Sequence, residues 1–161
     1  MDPALVHHYF GTKEKLFVAA MDMPVNPAEI VGPLLDGDRD HIGERLLRTF
    51  LSVWDSESMR APMLAMIRSA VQHEQAAAMV REFVEGVIVA RVIEKLDVDD
   101  EQWRASLVST HVLGLIVGRY IIKVEPLASA DPEKVIAAIA PTVQRYLTGD
   151  LEESASGREI P

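Results

Sequence analysis

The apolar stretch from Leu107 to Val124 constrains the fold of this chain more than any other part of its sequence. Apolar side chains occupy nearly every face of a helix drawn through it, so two of those faces must be covered by other helices. His111, Arg119 and Lys123 interrupt the stretch, which favours a buried helix over a membrane span. Strand-like alternation of useful length occurs nowhere in the sequence, and the chain is therefore predicted to be all-α.

The spacing of apolar residues divides most of the chain into predicted helices. Asn26 is expected to cap a helix that begins at Pro27 and ends near Leu35. Asp100 is expected to cap a later helix, and Pro141 is expected to bend the last one. The later helices are predicted over residues 39–55, from shortly before Pro62 to His73, and over residues 75–96, 101–124 and 132–147.

A second signal lies near the N-terminus, in the run Pro3–Leu16. Gly11 marks a tight turn between the end of one helix and the start of another, which Thr12 would cap. The run resembles the recognition helix and the start of the following helix of TetR-type transcriptional repressors, most specifically in its Phe-Gly-Thr-Lys-Glu-x-Leu segment. More weakly, residues 114–149 resemble the last two helices of actinobacterial-type TetR regulators.

The resemblance implies an all-helical dimer with a small helix-turn-helix domain and a larger C-terminal domain for ligand binding and dimerisation. Residues 1–23 would be part of the first domain and residues 24–149 would form the second, while the polar residues 150–161 are expected to be a disordered tail. In that family two helices precede the recognition helix, so roughly 30–40 further residues are expected before this run. We therefore expect this chain to bind operator DNA poorly, and a longer form to bind it.

The residues expected to contact DNA lie in the recognition helix and at the start of the next helix. Pro3 and Ala4 would approach base edges in the major groove. The groups expected to bind phosphate are His7, His8, Tyr9 and Lys13. The alternative is a polar helix end that packs on the core. A formal net charge of −9 argues against nucleic-acid binding by the bulk of the chain, which leaves a small, locally basic domain for that role.

Large aromatic residues and methionines form a stripe through the middle helices, where the resemblance implies a cavity for a small hydrophobic ligand. Methionine and aromatic side chains adapt to ligands of varied shape, although ordinary core packing explains the same pattern. His111 would orient such a ligand, or else be a core or interface histidine. The residues of this predicted ligand site are Phe50, Trp54, Met63, Met66, Ile67, Met79, Phe83, Val87, Trp103 and His111.

The last two predicted helices carry the features expected of a homodimer interface. Gly114 and Gly118 would let another helix approach closely, and the final helix offers a matching apolar seam. The predicted interface comprises Leu107, Gly114, Gly118, Ile121, Ile136, Ile139, Ala140 and Val143. The alternative is a monomer whose own helices cover both faces of the 107–124 helix.

The sequence gives little support to catalysis. None of the 5 histidines forms an HxxxH or HExxH pair, and no glycine-rich phosphate loop is present, so neither an enzyme nor a metal or other cofactor is predicted. The lack of cysteine excludes disulfides and fits a cytoplasmic protein.

The function predicted from the sequence is that of a ligand-responsive transcriptional repressor without membrane association. In the mechanism that the resemblance implies, a bound ligand favours one of two subunit arrangements. The change would pass through the Pro27–Leu35 helix to the Lys13–Met23 helix and alter the separation of the recognition helices. The alternative is a dimeric helical module that binds a small molecule or a protein and has no DNA role.

Overall fold

The computed structural model of the protein describes residues 27–75, 77–78 and 88–151, and this part of the chain is helical without strands. No helix in these ranges is long and apolar enough to cross a membrane. The elements are α1 (Pro27–Leu35), a 3-10 turn (Arg39–His41), α2 (Ile42–Asp55), α3 (Glu57–Ala70), α4 (Val89–Leu96), α5 (Glu101–Ile116), a π-helical turn (Val117–Ile121) and α6 (Pro132–Thr148). The predicted all-α class is confirmed.

The core forms where α2 and α6 cross and where α4 and α5 pack beside them. Each helix places an apolar stripe toward this centre, as burial of one face of an amphipathic helix requires. Gly43 lies at the crossing of α2 and α6, where the two backbones approach closely. The most deeply buried side chains include Leu47, Leu51, Val92, Ile93, Val108, Val143 and Leu147.

Two helix boundaries follow their local sequence signals. The helix α1 spans the predicted residues and is followed by Gly37, whose φ of +99° favours glycine. At the start of α6 the Asp131 carboxylate accepts a hydrogen bond from the Glu133 N–H at 2.9 Å. Pro132 occupies the first position of that helix, where the missing N–H leaves no hydrogen bond unmade.

The helix predicted over residues 75–96 is not continuous, because Ile88 lies in a bend and α4 begins after it at Val89. Gly86 is followed by three β-branched residues, and both features lower helix propensity. The expected cap at Asp100 is also not observed. This residue has a left-handed backbone, and its side chain makes no capping hydrogen bond.

The helix predicted over residues 101–124 ends earlier than expected. The regular α-helix stops at Ile116 and widens into the π-helical turn, and Lys123 then adopts a φ of +59°. Contacts of Arg119 accompany this early end of the regular helix. Its Nη1 donates to the carbonyl oxygens of Leu127 at 2.7 Å and Ala130 at 2.9 Å. These bonds fold the following loop back toward the helix end.

Candidate functional site

An aromatic cluster lies between α2, α3 and the end of α5. It comprises Phe50, Trp54, Met63, Ile67, Ile116 and Tyr120. The Trp54 and Tyr120 rings are stacked at 5.6 Å between centroids, and the Phe50 ring lies 5.8 Å from Trp54. Three of its members, Trp54, Met63 and Ile116, are almost completely buried.

Local sequence spacing brings these side chains together. Phe50 and Trp54 are four residues apart in α2, so they lie on the same face of that helix. Met63 and Ile67 share the same spacing in α3. Tyr120 belongs to the π-helical turn, in which Arg119 also faces the protein rather than solvent.

Polar groups border the cluster at the end of α2. The Tyr120 hydroxyl donates a hydrogen bond of 2.8 Å to Asp55, the last residue of α2. Burial contributes most to raising the pKa of Tyr120 to about 12, and the hydrogen bond to the Asp55 carboxylate contributes next. An Nη2 atom of Arg119 lies 3.9 Å from the same carboxylate. Tyr120 therefore acts as a neutral hydrogen-bond donor at physiological pH.

Two guanidinium groups lie beside Tyr120. The Cζ atoms of Arg60 and Arg119 are each 5.7 Å from the centre of its ring, a distance typical of cation–π contacts. Arg60 is half-buried and donates from Nη1 to the Trp54 carbonyl at 3.3 Å. Arg119 is 7% exposed, and its Nε atom is buried without a hydrogen-bond partner.

Arginine side chains also connect α1 to the rest of the domain. Arg45 of α2 donates from Nε to the Leu34 carbonyl at 2.9 Å and from Nη2 to the Asp38 carbonyl at 2.8 Å. Arg39 donates to the Leu96 carbonyl at 2.7 Å. The Arg45 contacts hold the end of α1 and the turn after it to α2, the helix that supplies Phe50 and Trp54. The Arg39 contact joins the same turn to the end of α4.

Comparisons with known proteins identify the family of this helical chain. A family model described as "Tetracyclin repressor-like, C-terminal domain" matches residues 40–147. The chain belongs to the TetR family. The crystal structure of a TetR-family regulator from Streptomyces coelicolor A3 is similar, with 38% sequence identity and a TM-score of 0.64 over 91% of this chain and 77% of that one. No curated protein matches the chain.

The predicted ligand residues of this TetR-family chain fall into three groups. Phe50, Trp54, Met63 and Ile67 meet in the aromatic cluster, whereas Met66 is half-buried outside it. Trp103 is 59% exposed and lines a separate open pocket of about 590 Å³ between α4 and α5. The predicted residues that lie outside the described part of the chain are Met79, Phe83 and Val87.

His111 lies on the side of α5 that faces α6. Its ring is 6.0 Å from that of Tyr146 in an edge-on arrangement. The side chain is half-buried and does not belong to the aromatic cluster. Of the two roles considered for His111, this position fits a core or interface histidine better than a group that orients a ligand in that cluster.

The sequence reasoning missed several residues of the site. Ile116 and Tyr120 continue the i, i+4 spacing of α5 from Val112, so helical periodicity contained a signal for them. Arg60 and Asp55 carried no such signal, because charged residues near helix ends are usually solvated. Their place at the site depends on how α2 and α3 pack.

The eight residues predicted for the dimer interface are not on one surface. Six of them face the protomer itself. On α6, Ile136, Ala140 and Val143 are buried in the core and Ile139 packs against it. Ile121 packs against the aromatic cluster, and a Cβ on Gly118 would lie 3.5 Å from the Leu127 side chain. Leu107 is half-buried on the outer face of α5. Gly114 is exposed, and a Cβ there would meet nothing within 4 Å.

The residues predicted to contact DNA lie outside the described ranges. They are Pro3, Ala4, His7, His8, Tyr9 and Lys13. Across residues 27–75, 77–78 and 88–151, no group of three His, Asp or Glu side chains is arranged to hold a metal ion.

Proposed function

We propose that this TetR-family regulator is a repressor that binds operator DNA as a homodimer and is released by a small hydrophobic ligand. Residues 1–23 would belong to the DNA-binding domain and residues 24–149 to the ligand-binding and dimerisation domain, in a cytoplasmic protein. The observation that supports this proposal best is the match of residues 40–147 to the tetracyclin repressor-like C-terminal domain. We expect the ligand to bind at the aromatic cluster with its polar border, because small-molecule sites are mostly apolar with a few convergent polar groups.

The contacts of Arg45 suggest how ligand binding would reach the DNA. Phe50 and Trp54 belong to the same helix as Arg45, which holds the last turn of α1 through the Leu34 carbonyl. A ligand that displaced α2 would therefore displace the end of α1 with it. Half-sites in DNA lie about 34–36 Å apart, so a shift of a few ångströms in the recognition helices weakens binding.

The outer face of α5 supports a homodimer. Trp103, Leu107, Thr110 and Gly114 follow one another at spacings of four, three and four residues, which places them on one stripe. Trp103, Thr110 and Gly114 are exposed, and Leu107 is half-buried. In an isologous interface the same stripe of a second copy would cover it, with the exposed side of α6 alongside.

The oligomeric state tests this interface directly. Gly114→Arg would place a charged side chain in the close contact and should convert the dimer to a monomer in sedimentation velocity experiments. Gly32→Arg is the matched control, because Gly32 is also an exposed helical glycine with nothing within 4 Å of a Cβ. A parent protein that is monomeric at micromolar concentration would contradict the dimer.

DNA binding tests the function itself. This chain and the longest product of the same reading frame are compared in a salt-titrated assay on the DNA that flanks the gene. The longer product should bind with an affinity that falls steeply as salt rises, since phosphate contacts release counterions. If neither form binds flanking DNA at low salt, the repressor function is wrong and a ligand-binding module without a DNA role is the better account.

A further inference from the structure

A cavity of about 590 Å³ opens between α4 and the first turns of α5, and it shares no described residue with the aromatic cluster. Ala90, Ile93 and Ala105 are among the residues that line it, so much of its surface is apolar. The volume falls within the range of small-molecule sites, which is roughly 300–1,000 Å³. The cavity therefore has room for a ligand without a change in the packing of the core.

Trp103 gives this cavity an aromatic wall. Its side chain is 59% exposed, although tryptophan is usually largely buried. A ligand in the cavity would cover part of the indole, and the removal of that apolar surface from water would favour binding. The face of an indole also attracts cations more strongly than the other aromatic side chains do.

The polar groups that line the cavity favour a cation as well. Glu101 supplies a carboxylate, and it forms no ion pair with any residue in the described part of the chain. The Ser106 hydroxyl donates to the Trp103 carbonyl at 2.7 Å, so its oxygen remains able to accept. Lysine, arginine and histidine are absent from the described residues that line the cavity. An anion would therefore meet a negative charge here and no positive one.

The sequence around the cavity is acidic. Residues 94–104 contain five acidic and two basic side chains. One of the basic groups, Arg104, is 4% exposed and pairs with Asp99, so its charge is already compensated. The start of α5 contributes a partial positive charge of roughly half a unit, which this acidic excess outweighs. The local field therefore attracts a cation.

We propose that this cavity is a second ligand site, which takes an organic cation with an apolar body, such as a quaternary ammonium. The apolar body would pack against Ala90 and Trp103, and the cationic group would lie near the indole and the Glu101 carboxylate. Recognition of quaternary ammonium groups by aromatic side chains is a common use of the cation–π contact. The site needs neither the aromatic cluster nor DNA binding, so it goes beyond the proposed function.

Benzyltrimethylammonium and benzyldimethylamine N-oxide are matched probes for this site. The N-oxide replaces one methyl group with oxygen and has no net charge, so the two probes differ mainly in charge. In isothermal titration calorimetry at fixed ionic strength, the ammonium should bind about tenfold more tightly, because it gains a cation–π contact and the attraction of a carboxylate. Trp103 also lies on the α5 stripe proposed for the homodimer. Sedimentation velocity with and without probe therefore separates binding from a change in oligomeric state.

Three variants assign the preference to the cavity. Glu101→Gln should reduce it to about threefold or less, because the carboxylate charge is lost. Glu57→Gln is the matched control, since Glu57 is also an exposed acidic residue in the first turn of a helix but does not line the cavity, and it should keep the preference. Trp103→Leu keeps an apolar side chain without the indole face, and it should weaken binding of the ammonium more than that of the N-oxide. Circular dichroism melting curves establish that each variant is folded.

Three results would overturn the assignment. They are the absence of ammonium binding by the parent, equal affinity of the parent for the two probes, and an equal loss in Glu101→Gln and Glu57→Gln. The last of these would show that the preference reflects only the general negative charge of the protein. The titrations contain no DNA, so their outcome is separate from that of the operator assay. Ammonium binding by a protein that binds no operator would remove the repressor and keep the cation site.

Discussion

The side-chain oxygen of Gln144 accepts a hydrogen bond of 2.7 Å from the backbone N–H of Gly43, which joins α6 to the first turn of α2. That N–H has no partner within its own helix, as is usual for the first turn. Gln144 also donates from Nε2 to the Arg39 carbonyl at 3.0 Å. One side chain of α6 therefore binds both the start of α2 and the turn before it.

Gly43→Ala should destabilise the protein by about 1–3 kcal/mol, the usual range for an overpacked site. A Cβ at residue 43 would lie 2.8 Å from the Gln144 nitrogen and 2.9 Å from the Ala140 oxygen, both of them backbone atoms. Urea unfolding at pH 7 measures the effect. Gly32→Ala is the control, since a Cβ there meets nothing within 4 Å and should stabilise α1 by a few tenths to about 1 kcal/mol. Equal effects of the two substitutions would contradict the close crossing.

Arg45→Met should lower the free energy of unfolding by about 1–2 kcal/mol and increase amide hydrogen exchange in residues 34–41. The substitution keeps much of the side-chain length but leaves the Leu34 and Asp38 carbonyls without their donors. Arg48→Met is the matched control in the same helix. Arg48 is exposed and pairs with Glu44 and Glu133, so its loss should lower stability less than the loss of Arg45 does. Unchanged exchange in the Arg45 variant would show that these bonds do not hold the end of α1.

Arg104→Met should be among the most destabilising substitutions of a polar residue, by about 2–4 kcal/mol in urea unfolding. Arg104 is 4% exposed and donates to the carbonyl oxygens of Tyr146 at 3.0 Å and Gly149 at 2.9 Å, which tie the end of α6 to α5. Asp99→Asn provides the comparison. Asp99 is largely exposed, so loss of its charge should lower stability by less than about 1 kcal/mol. If both variants lose the same amount, the ion pair rather than the carbonyl contacts stabilises this corner.

Tyr120 makes the stability of the protein depend on pH in alkaline solution. Its pKa of about 12 in the folded state exceeds the ordinary value of 10.0, so the folded state favours the protonated hydroxyl. The resulting stabilisation is fully present below pH 10 and is lost as the pH rises toward 12. Tyr120→Phe lacks this contribution. The difference in unfolding free energy between parent and variant should therefore shrink between pH 9 and pH 11.5 in urea titrations. A constant difference would show that the pKa of Tyr120 is not raised.

The helix ends that the sequence predicted best are those that residues adjacent in the sequence determine. The start of α6 at Asp131-Pro132 and the end of α1 before Gly37 are local signals of this kind. The end of α5 was missed because Arg119 bonds to carbonyl groups up to 11 residues further along the chain. The local spacing of apolar residues cannot predict a hydrogen bond between residues this far apart in the sequence.

Periodicity identified apolar faces without identifying what covers them. The seam of Ile136, Ala140 and Val143 was predicted to meet a second subunit, and in the structure it is buried within the protomer. Helical periodicity identifies the apolar side of a helix, but it does not identify which helix or subunit covers that side. The same limit applies to the site. Spacing found Phe50 and Trp54, whereas Arg60 joins them only because α3 packs against α2.

Arginine residues in this domain bind main-chain carbonyl groups at helix ends. Arg39, Arg45, Arg104 and Arg119 all do so, and their acceptors lie at the ends of α1, α4 and α6 and in the loop before α6. A carbonyl oxygen persists when the side chain of its residue is exchanged. Substitutions around the aromatic cluster can therefore accumulate without removing the acceptors through which these arginines hold the helices in register.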